Sequence, residues 1–307
     1  MAHDQTPSEK RHLLLVLNGK AAPREDVRAA VEAVRGAGHT LEVRVTYDGD
    51  DAGRFAREAV EREDARPGVI VAGGGDGTIN QVIASALEAR PETDCAFGAL
   101  PLGTANDFST GMGLPVDDVR AALMLCATGT PRPIDAGRIN GRIFVNVASA
   151  GSVTRITRET DPRAKELLGG AAYLIAGASR LGDLVPSRAR IEGDGFSFDD
   201  EFVALAVGNG RLAGGGVPLC ANARYDDGEL DLALFPRPDA DHMLSLLSGL
   251  LSEGEGTLDG YARTHRFTRL VVDADDELAV NLDGEPMSAR RLEVEVMPKA
   301  LRFVTGA

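Results

Sequence analysis

The chain has no long apolar run and no leader-like beginning. No apolar stretch reaches the roughly 20 residues that a helix needs to cross a bilayer. Residues 1–12 are polar and contain no apolar core, so we predict no signal peptide and expect residues 1–11 to form a flexible tail. We therefore expect a cytoplasmic protein that associates with membranes peripherally at most.

Cysteine is scarce, and histidine is spread too thinly for a metal site. Cys95, Cys126 and Cys220 are far apart, odd in number and without a CxxC pair. This pattern predicts reduced thiols in a cytosolic protein. The five histidines show no ligand spacing, so the sequence does not support a zinc site.

Positive charge is also in short supply. The chain has 33 Lys and Arg residues and 47 Asp and Glu residues, which gives a net charge of −14. Extensive nucleic-acid binding is therefore not expected. An acidic chain is repelled by anionic membrane surfaces, so we expect any membrane contact to be local or transient.

A glycine-rich stretch at residues 68–87 carries the clearest chemical signal. An apolar strand over 68–72 runs into Gly73-Gly74-Gly75-Asp76-Gly77, and residues 79–87 then show helical spacing. Glycines let backbone N–H groups approach a ligand, and a helix start adds a positive dipole end. We predict a phosphate site here, with a tight strand-to-helix turn as the alternative.

Two common phosphate loops do not match this stretch. The GxxxxGK[ST] pattern needs a lysine after its last glycine, and GxGxxG needs a small residue at its sixth position, but Thr78 stands in both places. Asp76 would repel phosphate unless a divalent cation lay between them, or unless it held a hydroxyl or a loop amide. We therefore predict a nucleotide together with Mg²⁺.

Strand and helix patterns alternate over residues 13–127, which predicts a parallel sheet in a doubly wound α/β domain. Ligands bind such sheets at the carboxyl ends of the strands. The polar segments expected at those ends are Asn18, Thr46, Gly73–Thr78 and Gly103–Asp107.

Strands dominate after Pro131-Arg132-Pro133, which predicts a second, antiparallel β domain. Two apolar helices are expected near 164–181 and 239–252. We place the first domain at 12–132, joined by a final strand over 299–307, and the second at 133–298. The cleft between the domains is expected to hold the substrates.

Two acidic turns in the second domain could carry chemistry. Asp283-Gly284-Glu285 ends an alternating strand and is either a plain turn or the holder of a general base. Residues 226–231 contain four acids in six positions. They form either a solvated hairpin turn or a site for a hard cation.

The motifs together resemble one family. Gly74–Thr78, Leu100-Pro101-Leu102-Gly103-Thr104-Ala105-Asn106-Asp107-Phe108 and Leu282–Glu285 resemble the diacylglycerol kinase catalytic family and its bacterial YegS-type branch. Residues 17–20, 207–211 and 213–216 add to the likeness, which runs from about Leu13 to Phe303. The first motif is shared with NAD kinases and phosphofructokinases, whereas the second is more specific to lipid kinases.

The resemblance implies an α/β nucleotide domain, a β-sandwich and ATP-dependent phosphorylation of a lipid hydroxyl with Mg²⁺. It implies that Glu285 is the catalytic base, with Asp76 assisting the metal. It places a further metal site near Arg224, Asp227 and Glu229, in part through carbonyls. The implied ATP contacts are Thr46, Gly75, Asp76, Gly77, Thr78, Ile79, Asn80, Gln81 and Thr104.

Two positions depart from the family pattern. Ala150-Gly151-Ser152-Val153 replaces a frequent Gly-Gly-Phe-Gly, which puts the local loop shape in question. Gln81 replaces a frequent glutamate, so a metal or nucleotide contact there is expected to be weaker.

Two other functions remain open: a soluble kinase acting on NAD or a sugar phosphate, and a nucleotide-binding regulator without transfer activity. Diacylglycerol and phosphatidylglycerol both fit as lipid acceptors. A homodimer is one candidate assembly, since the sequence does not fix the oligomeric state.

Overall fold

A computed structural model describes residues 10–151, 185–237 and 262–306. The helices expected near 164–181 and 239–252 lie outside these ranges. The chain divides into two compact units, residues 1–134 with 299–307 and residues 135–298. Within the described ranges, no helix has the length and apolar character needed to cross a membrane.

The first unit alternates strands and helices. Its elements are β1 (His12–Leu17), α1 (Glu25–Gly36), β2 (Thr40–Val45), α2 (Asp51–Glu61), β3 (Val69–Gly74), α3 (Asp76–Ala89), β4 (Ala96–Pro101), α4 (Asp107–Gly111) and α5 (Val119–Thr128). A single 3₁₀ turn, Gly19–Ala21, follows β1.

The strands of this unit form a parallel sheet in the order β4-β3-β1-β2, which confirms the predicted α/β architecture. Leu13, Leu14, Leu15 and Val16 of β1 are fully buried, as expected for a strand covered on both faces. Helix α1 packs with α5, and α2 packs with α3. The carboxyl ends of β1 to β4 therefore lie along one edge of the sheet.

Two local features of the first unit differ from the sequence expectation. Helix α3 begins at Asp76, because Gly75 is extended and serves as its N-cap, so Gly77 and Thr78 lie in the first helical turn rather than in a loop. A short helix, α4, begins at Asp107 within the second motif, and the sequence pattern did not predict it. The ring of Phe108 fixes it, since it is fully buried and meets Phe303 edge-on at 5.1 Å.

The second unit is built from antiparallel strands. They are β5 (Pro131–Ile139), which begins in the first unit, β6 (Arg142–Phe144), β7 (Val147–Gly151), β8 (Ser187–Gly193), β9 (Phe196–Gly208), β10 (Leu230–Pro236), β11 (Arg263–Phe267), β12 (Arg269–Leu282) and β13 (Glu285–Val304). The pairing order is β11-β10-β9-β7-β12-β13, and β8 pairs with β9 and β12. The predicted antiparallel β domain is confirmed. The last residues of β13 lie in the first unit and pair with β4 in parallel.

Several strand boundaries in the second unit were predicted wrongly. The apolar pattern of the sequence predicts separate strands over 267–273 and 278–282, but the two are joined in β12, which has an irregular register between Asp273 and Leu278. The pattern also predicts one strand over 142–147, which is split into β6 and β7 at Val145-Asn146. Strand β5 was missed because Pro131 and Pro133 suggested a break, but a proline at the start of a strand removes no necessary hydrogen bond.

We predict that Gly137→Ala destabilises the protein by about 1–3 kcal/mol through overpacking. Gly137 pairs with Phe144 across β5 and β6. A Cβ at this position would lie within 2.7 Å of three ring carbons of the fully buried Phe144.

Gly68→Ala is the matched control, because a Cβ there would meet only the carbonyl of His12 at 3.6 Å. Urea denaturation should give a large loss for Gly137→Ala and a change of about 0.5 kcal/mol or less for the control. Equal stabilities of the two variants would contradict the packing described for β5 and β6.

Candidate functional site

The glycine loop and the second motif touch through their backbones. Leu102 donates its amide to the carbonyl of Gly74 at 2.9 Å. A Cβ on Gly103 would lie 2.6 Å from the Cα of Gly75 and 3.0 Å from Oδ1 of Asn106. No side chain fits at Gly103, so glycine is a steric requirement there, whereas a Cβ on Gly75 would lie 3.3 Å from the Cα of Gly103 and would be tight. The two motifs, which are nearly thirty positions apart in the sequence, form one site.

Asp76 links the same two segments through its carboxylate. Its Oδ1 accepts the amide of Phe108 at 3.0 Å, and its Oδ2 accepts the amide of Asp107 at 3.3 Å. Burial raises the pKa of the Asp76 carboxyl, and the amide of Phe108 opposes this rise. Of the three partners that the sequence left open for this acid, the structure shows a loop amide. Roles for Asp76 in catalysis and Mg²⁺ binding remain predictions.

The residues of helix α3 that are predicted to contact the nucleotide differ in their exposure. Ile79 is fully buried and Asn80 is 3% exposed, so the side chains of these two residues are not presented at the surface. Gln81 donates Nε2 to the carbonyl of Gly49 at 2.5 Å and ties the loop after β2 to the helix. A glutamate carboxylate could not donate this hydrogen bond. The glutamine that stands at position 81 in place of the family's frequent glutamate therefore has a structural role.

Thr46 and Thr104 lie at the same edge of the sheet as the glycine loop. Thr46 follows β2, and its Oγ1 accepts the amide of Gly19 at 3.2 Å. Thr104 follows β4 and is exposed. It lines an open cavity of about 610 Å³ together with Arg24 and Arg120. The predicted ATP residues therefore share one edge of the first unit.

Glu285 stands in the second unit, directly after a two-residue hairpin turn. Leu282 pairs with Glu285, and the two turn residues have positive φ angles, 50° at Asp283 and 100° at Gly284. Such turns are rigid and match the twist of the flanking strands. Glu285 is half-buried, and within the described ranges its carboxylate has no hydrogen-bond or ion-pair partner. An unpaired carboxylate of this kind can accept a proton.

The three residues predicted to lie at a metal site, Arg224, Asp227 and Glu229, take part in ion pairs. A metal site here, in part through backbone carbonyls, remains a prediction. The guanidinium of Arg266 bonds Asp227 and also pairs with Glu229 at 2.6 Å. Arg224 pairs with Asp226 instead, at 3.7 Å. Over the described part of the chain, no group of three or more His, Cys, Asp or Glu side chains is placed to bind a metal. As arranged, an arginine neutralises these acids.

Asp231, the last acid of this run, is buried on β10 and is 5% exposed. Its Oδ2 has no hydrogen-bond partner among the residues that the structure describes. Burial raises the pKa of this carboxyl to about 6, although the charge of Arg266 opposes the rise. The sequence pattern grouped Asp231 with the solvated acids of the turn and did not indicate its burial.

Sequence reasoning assigned no role to two buried asparagines of the second unit. Asn146 accepts the hydroxyl of Tyr225 on Oδ1 at 3.0 Å. Asn209 donates Nδ2 to the carbonyls of Asp135 and Val145, at 3.0 and 2.7 Å. The motif at 207–211 contributed to the family resemblance, but nothing in its pattern indicated these contacts.

The altered loop at 150–153 keeps its glycine where the backbone requires one. Gly151 has a φ of 103°, and a Cβ there would lie 2.8 Å from the carbonyl oxygen of Val203. The glycine freedom that the sequence put in question is therefore present at this position. Ser152 and Val153 lie outside the described residues.

Comparisons with known proteins agree on the family. Residues 12–139 match the diacylglycerol kinase catalytic domain, and residues 146–305 match the YegS C-terminal NAD kinase beta sandwich-like domain. A Pseudomonas aeruginosa protein named "Probable lipid kinase YegS-like" is 44% identical over 294 residues, covering 96% of this chain and 94% of its own. A Yersinia enterocolitica protein of the same name is 42% identical over 293 residues, covering 95% and 96%.

The fold is also found in a solved structure. A diacylglycerol kinase from Bacillus anthracis superposes with a TM-score of 0.73 at 22% sequence identity. The match covers 98% of each chain. At this identity the likeness concerns the fold alone.

We predict that Arg266→Gln makes the protein more responsive to Mg²⁺. Removing the guanidinium leaves Asp227 and Glu229 without their cation, beside the buried Asp231, so a divalent ion should bind more tightly. At ten times its dissociation constant, a bound ion adds about 1.4 kcal/mol of stability.

Arg263→Gln is the matched control, since Arg263 lies on the same strand but contacts the ring of Phe198 rather than the acids. Thermal melting should be compared with and without MgCl₂ at constant ionic strength. A wild type that gains as much stability from Mg²⁺ as Arg266→Gln would show that Arg266 does not compete for these acids.

Proposed function

The chain belongs to the diacylglycerol kinase catalytic family, and on that premise we propose that it transfers the γ-phosphate of ATP to a hydroxyl group of a lipid. The observation that carries the proposal is the contact of Gly75 with Gly103. It joins a glycine loop that several kinase families share to a motif that is more specific to lipid kinases.

ATP is proposed to bind at the carboxyl edge of the parallel sheet. Thr46, residues 75–81 and Thr104 all lie there, in the unit formed by 1–134 and 299–307. The first turn of α3 has no side-chain cap, so its amides and dipole are suited to phosphate. Mg²⁺, when bound with the nucleotide, would neutralise phosphate charge. A further metal site near Arg224, Asp227 and Glu229, in part through backbone carbonyls, remains part of the proposal.

Glu285 is proposed as the general base. Its carboxylate would accept the proton of the lipid hydroxyl while that oxygen attacks the γ-phosphorus, and ADP would leave with the bridging oxygen. Phosphoryl transfer depends mostly on positioning and charge neutralisation. A carboxylate without a partner, held by a rigid turn, meets the positioning requirement. Asp76 is proposed to assist catalysis by holding the two nucleotide loops together.

The remaining assignments concern the lipid-binding domain, the membrane contact, the cellular location and the assembly. Residues 133–298 would bind the lipid, with diacylglycerol and phosphatidylglycerol as candidate acceptors. Membrane contact is proposed to be peripheral and transient, because the chain carries a net charge of −14. A cytoplasmic location and a homodimer remain part of the proposal.

We predict that Gly103→Ala weakens ATP binding about tenfold or more, because the new methyl group must displace the glycine loop in a closely packed contact. Gly36→Ala is the control, since a Cβ at Gly36 meets no atom within 4 Å. Calorimetric titration with a non-hydrolysable ATP analogue measures both. Unchanged affinity in Gly103→Ala would remove this contact from the nucleotide site.

We predict that Glu285→Gln lowers kcat by about 10²–10⁴, because the amide cannot take the hydroxyl proton. The KM for ATP should stay within about threefold of the wild type, since the nucleotide residues are unchanged. The assay follows labelled phosphate from ATP into lipid in detergent micelles.

Glu293→Gln serves as the control for this experiment. Glu293 lies on the same strand, but its carboxylate pairs with Arg291 on the exposed face. This variant should keep wild-type turnover. Near wild-type turnover in Glu285→Gln would exclude Glu285 as the base.

A further inference from the structure

Asp283, two residues before the proposed base, binds a segment of the chain that is distant in sequence. Its Oδ2 accepts the amides of Val145 and Asn146 at 2.6 and 3.1 Å, and its Oδ1 accepts the amide of Val147 at 2.8 Å. Its own amide donates to the carbonyl of Val147 at 3.3 Å. The side chain is buried, with 8% exposed. A plain turn residue would point its carboxylate into water.

The three consecutive amides of residues 145–147 converge on the carboxylate of Asp283. We call this strong and directional set of hydrogen bonds the clamp. Hydrogen bonds to a charged acceptor are roughly twice as strong as neutral ones. The bound segment joins β6 to β7, and β7 pairs with β12 beside the turn. The turn that carries Glu285 is therefore fixed from two directions, by the β12–β13 ladder and by the side chain of Asp283.

Two smaller contacts hold the same turn. Asn281 accepts the amide of Gly284 on Oδ1 at 2.6 Å. Arg142 donates to the carbonyl of Pro286, the residue after Glu285, at 3.2 Å. Neither contact involves the carboxylate of Glu285, so the surroundings hold the backbone of the base and leave its oxygens free.

The clamp also connects the base to the acidic loop. Asn146, held by Asp283, accepts the hydroxyl of Tyr225. The carbonyl of Tyr225 accepts the amide of Asp135 at 2.6 Å, and the carboxylate of Asp135 accepts the amide of Gly228 at 2.7 Å. A continuous path of hydrogen bonds runs from the turn at 283–284 to the loop at 224–229.

We propose that Asp283 is the positioning residue of the reaction, which holds Glu285 where it can take the proton of the acceptor hydroxyl. This inference rests on the proposed function, because it needs Glu285 to be the base. Asp283 acts through Glu285 and does not touch the reacting atoms. An error of about 1 Å in the position of a catalytic group can cost about 10²-fold in rate.

The test replaces Asp283 with asparagine, whose NH₂ group would face amides that need an acceptor. We expect kcat to fall about 10–10²-fold, with the KM for ATP within about twofold of the wild type. Amide hydrogen exchange at residues 145–147 should accelerate, because asparagine keeps only one of the two acceptor oxygens of the carboxylate and that oxygen carries no charge.

The decisive readout is a double-mutant cycle. If Asp283 acts through Glu285, then Asp283→Asn combined with Glu285→Gln should be no slower than Glu285→Gln alone, within about threefold. A double variant slower by the product of the two single effects would overturn the proposal, because Asp283 would then act independently of the base.

Asp194→Asn is the matched control. Asp194 also sits in an Asp-Gly hairpin turn at positive φ, and its carboxylate accepts the amides of Thr268 and Arg269 at 2.5 and 3.1 Å. It belongs to a different hairpin, so its loss should change kcat by less than about twofold. A loss of activity equal to that of Asp283→Asn would overturn the positioning role.

Asn281→Ala covers the case in which Asp283→Asn does not fold. It removes one contact at the edge of the turn, so we expect a smaller loss of kcat that again disappears in the Glu285→Gln background. A loss that persists there would overturn the inference. A wild type that labels no lipid would overturn the proposed function itself, and with it the role of Asp283. An active wild type with an additive cycle would overturn only the inference.

Discussion

The contact between two backbone loops at the edge of the parallel sheet is the constraint on which the proposed nucleotide site depends. Gly75 leaves no room for a side chain on Gly103, and the Asp76 carboxylate bridges the loops by accepting the amides of Asp107 and Phe108. Phe108 is in turn fixed by Phe303 from the returning final strand. The geometry of the glycine loop is therefore set by distant parts of the chain.

The second unit uses the same device. Asp283 is a buried carboxylate that accepts backbone amides from a distant segment, as Asp76 does in the first unit. In both motifs the acid lies next to a glycine, and in both its carboxylate accepts backbone amides from a distant segment. Among the residues that the structure describes, the Glu285 carboxylate has no hydrogen-bond or ion-pair partner, which suits its proposed role as the base.

The fold class could be predicted from sequence patterns, because buried residues recur at a fixed spacing along strands and helices. The alternation over 13–127 and the later strands predicted both architectures. Hydrogen-bond partners do not recur at such a spacing, so they could not be predicted in this way. Three features of the structure depend on tertiary contacts between segments that are far apart in sequence. They are the hydrogen bonds of Asp76 to backbone amides, the ion pairs of Arg266 and the burial of Asp231. For the same reason, the sequence did not indicate that Arg266 pairs with Asp227 and Glu229.

The most direct test of the proposed lipid kinase activity is to follow the label of γ-labelled ATP across competing acceptors. A total lipid extract, NAD, a sugar phosphate and water should be offered together to the wild-type protein. The proposed function predicts that the label enters one lipid class as a phosphomonoester. Label found only in NADP, in a sugar bisphosphate or in inorganic phosphate would contradict it.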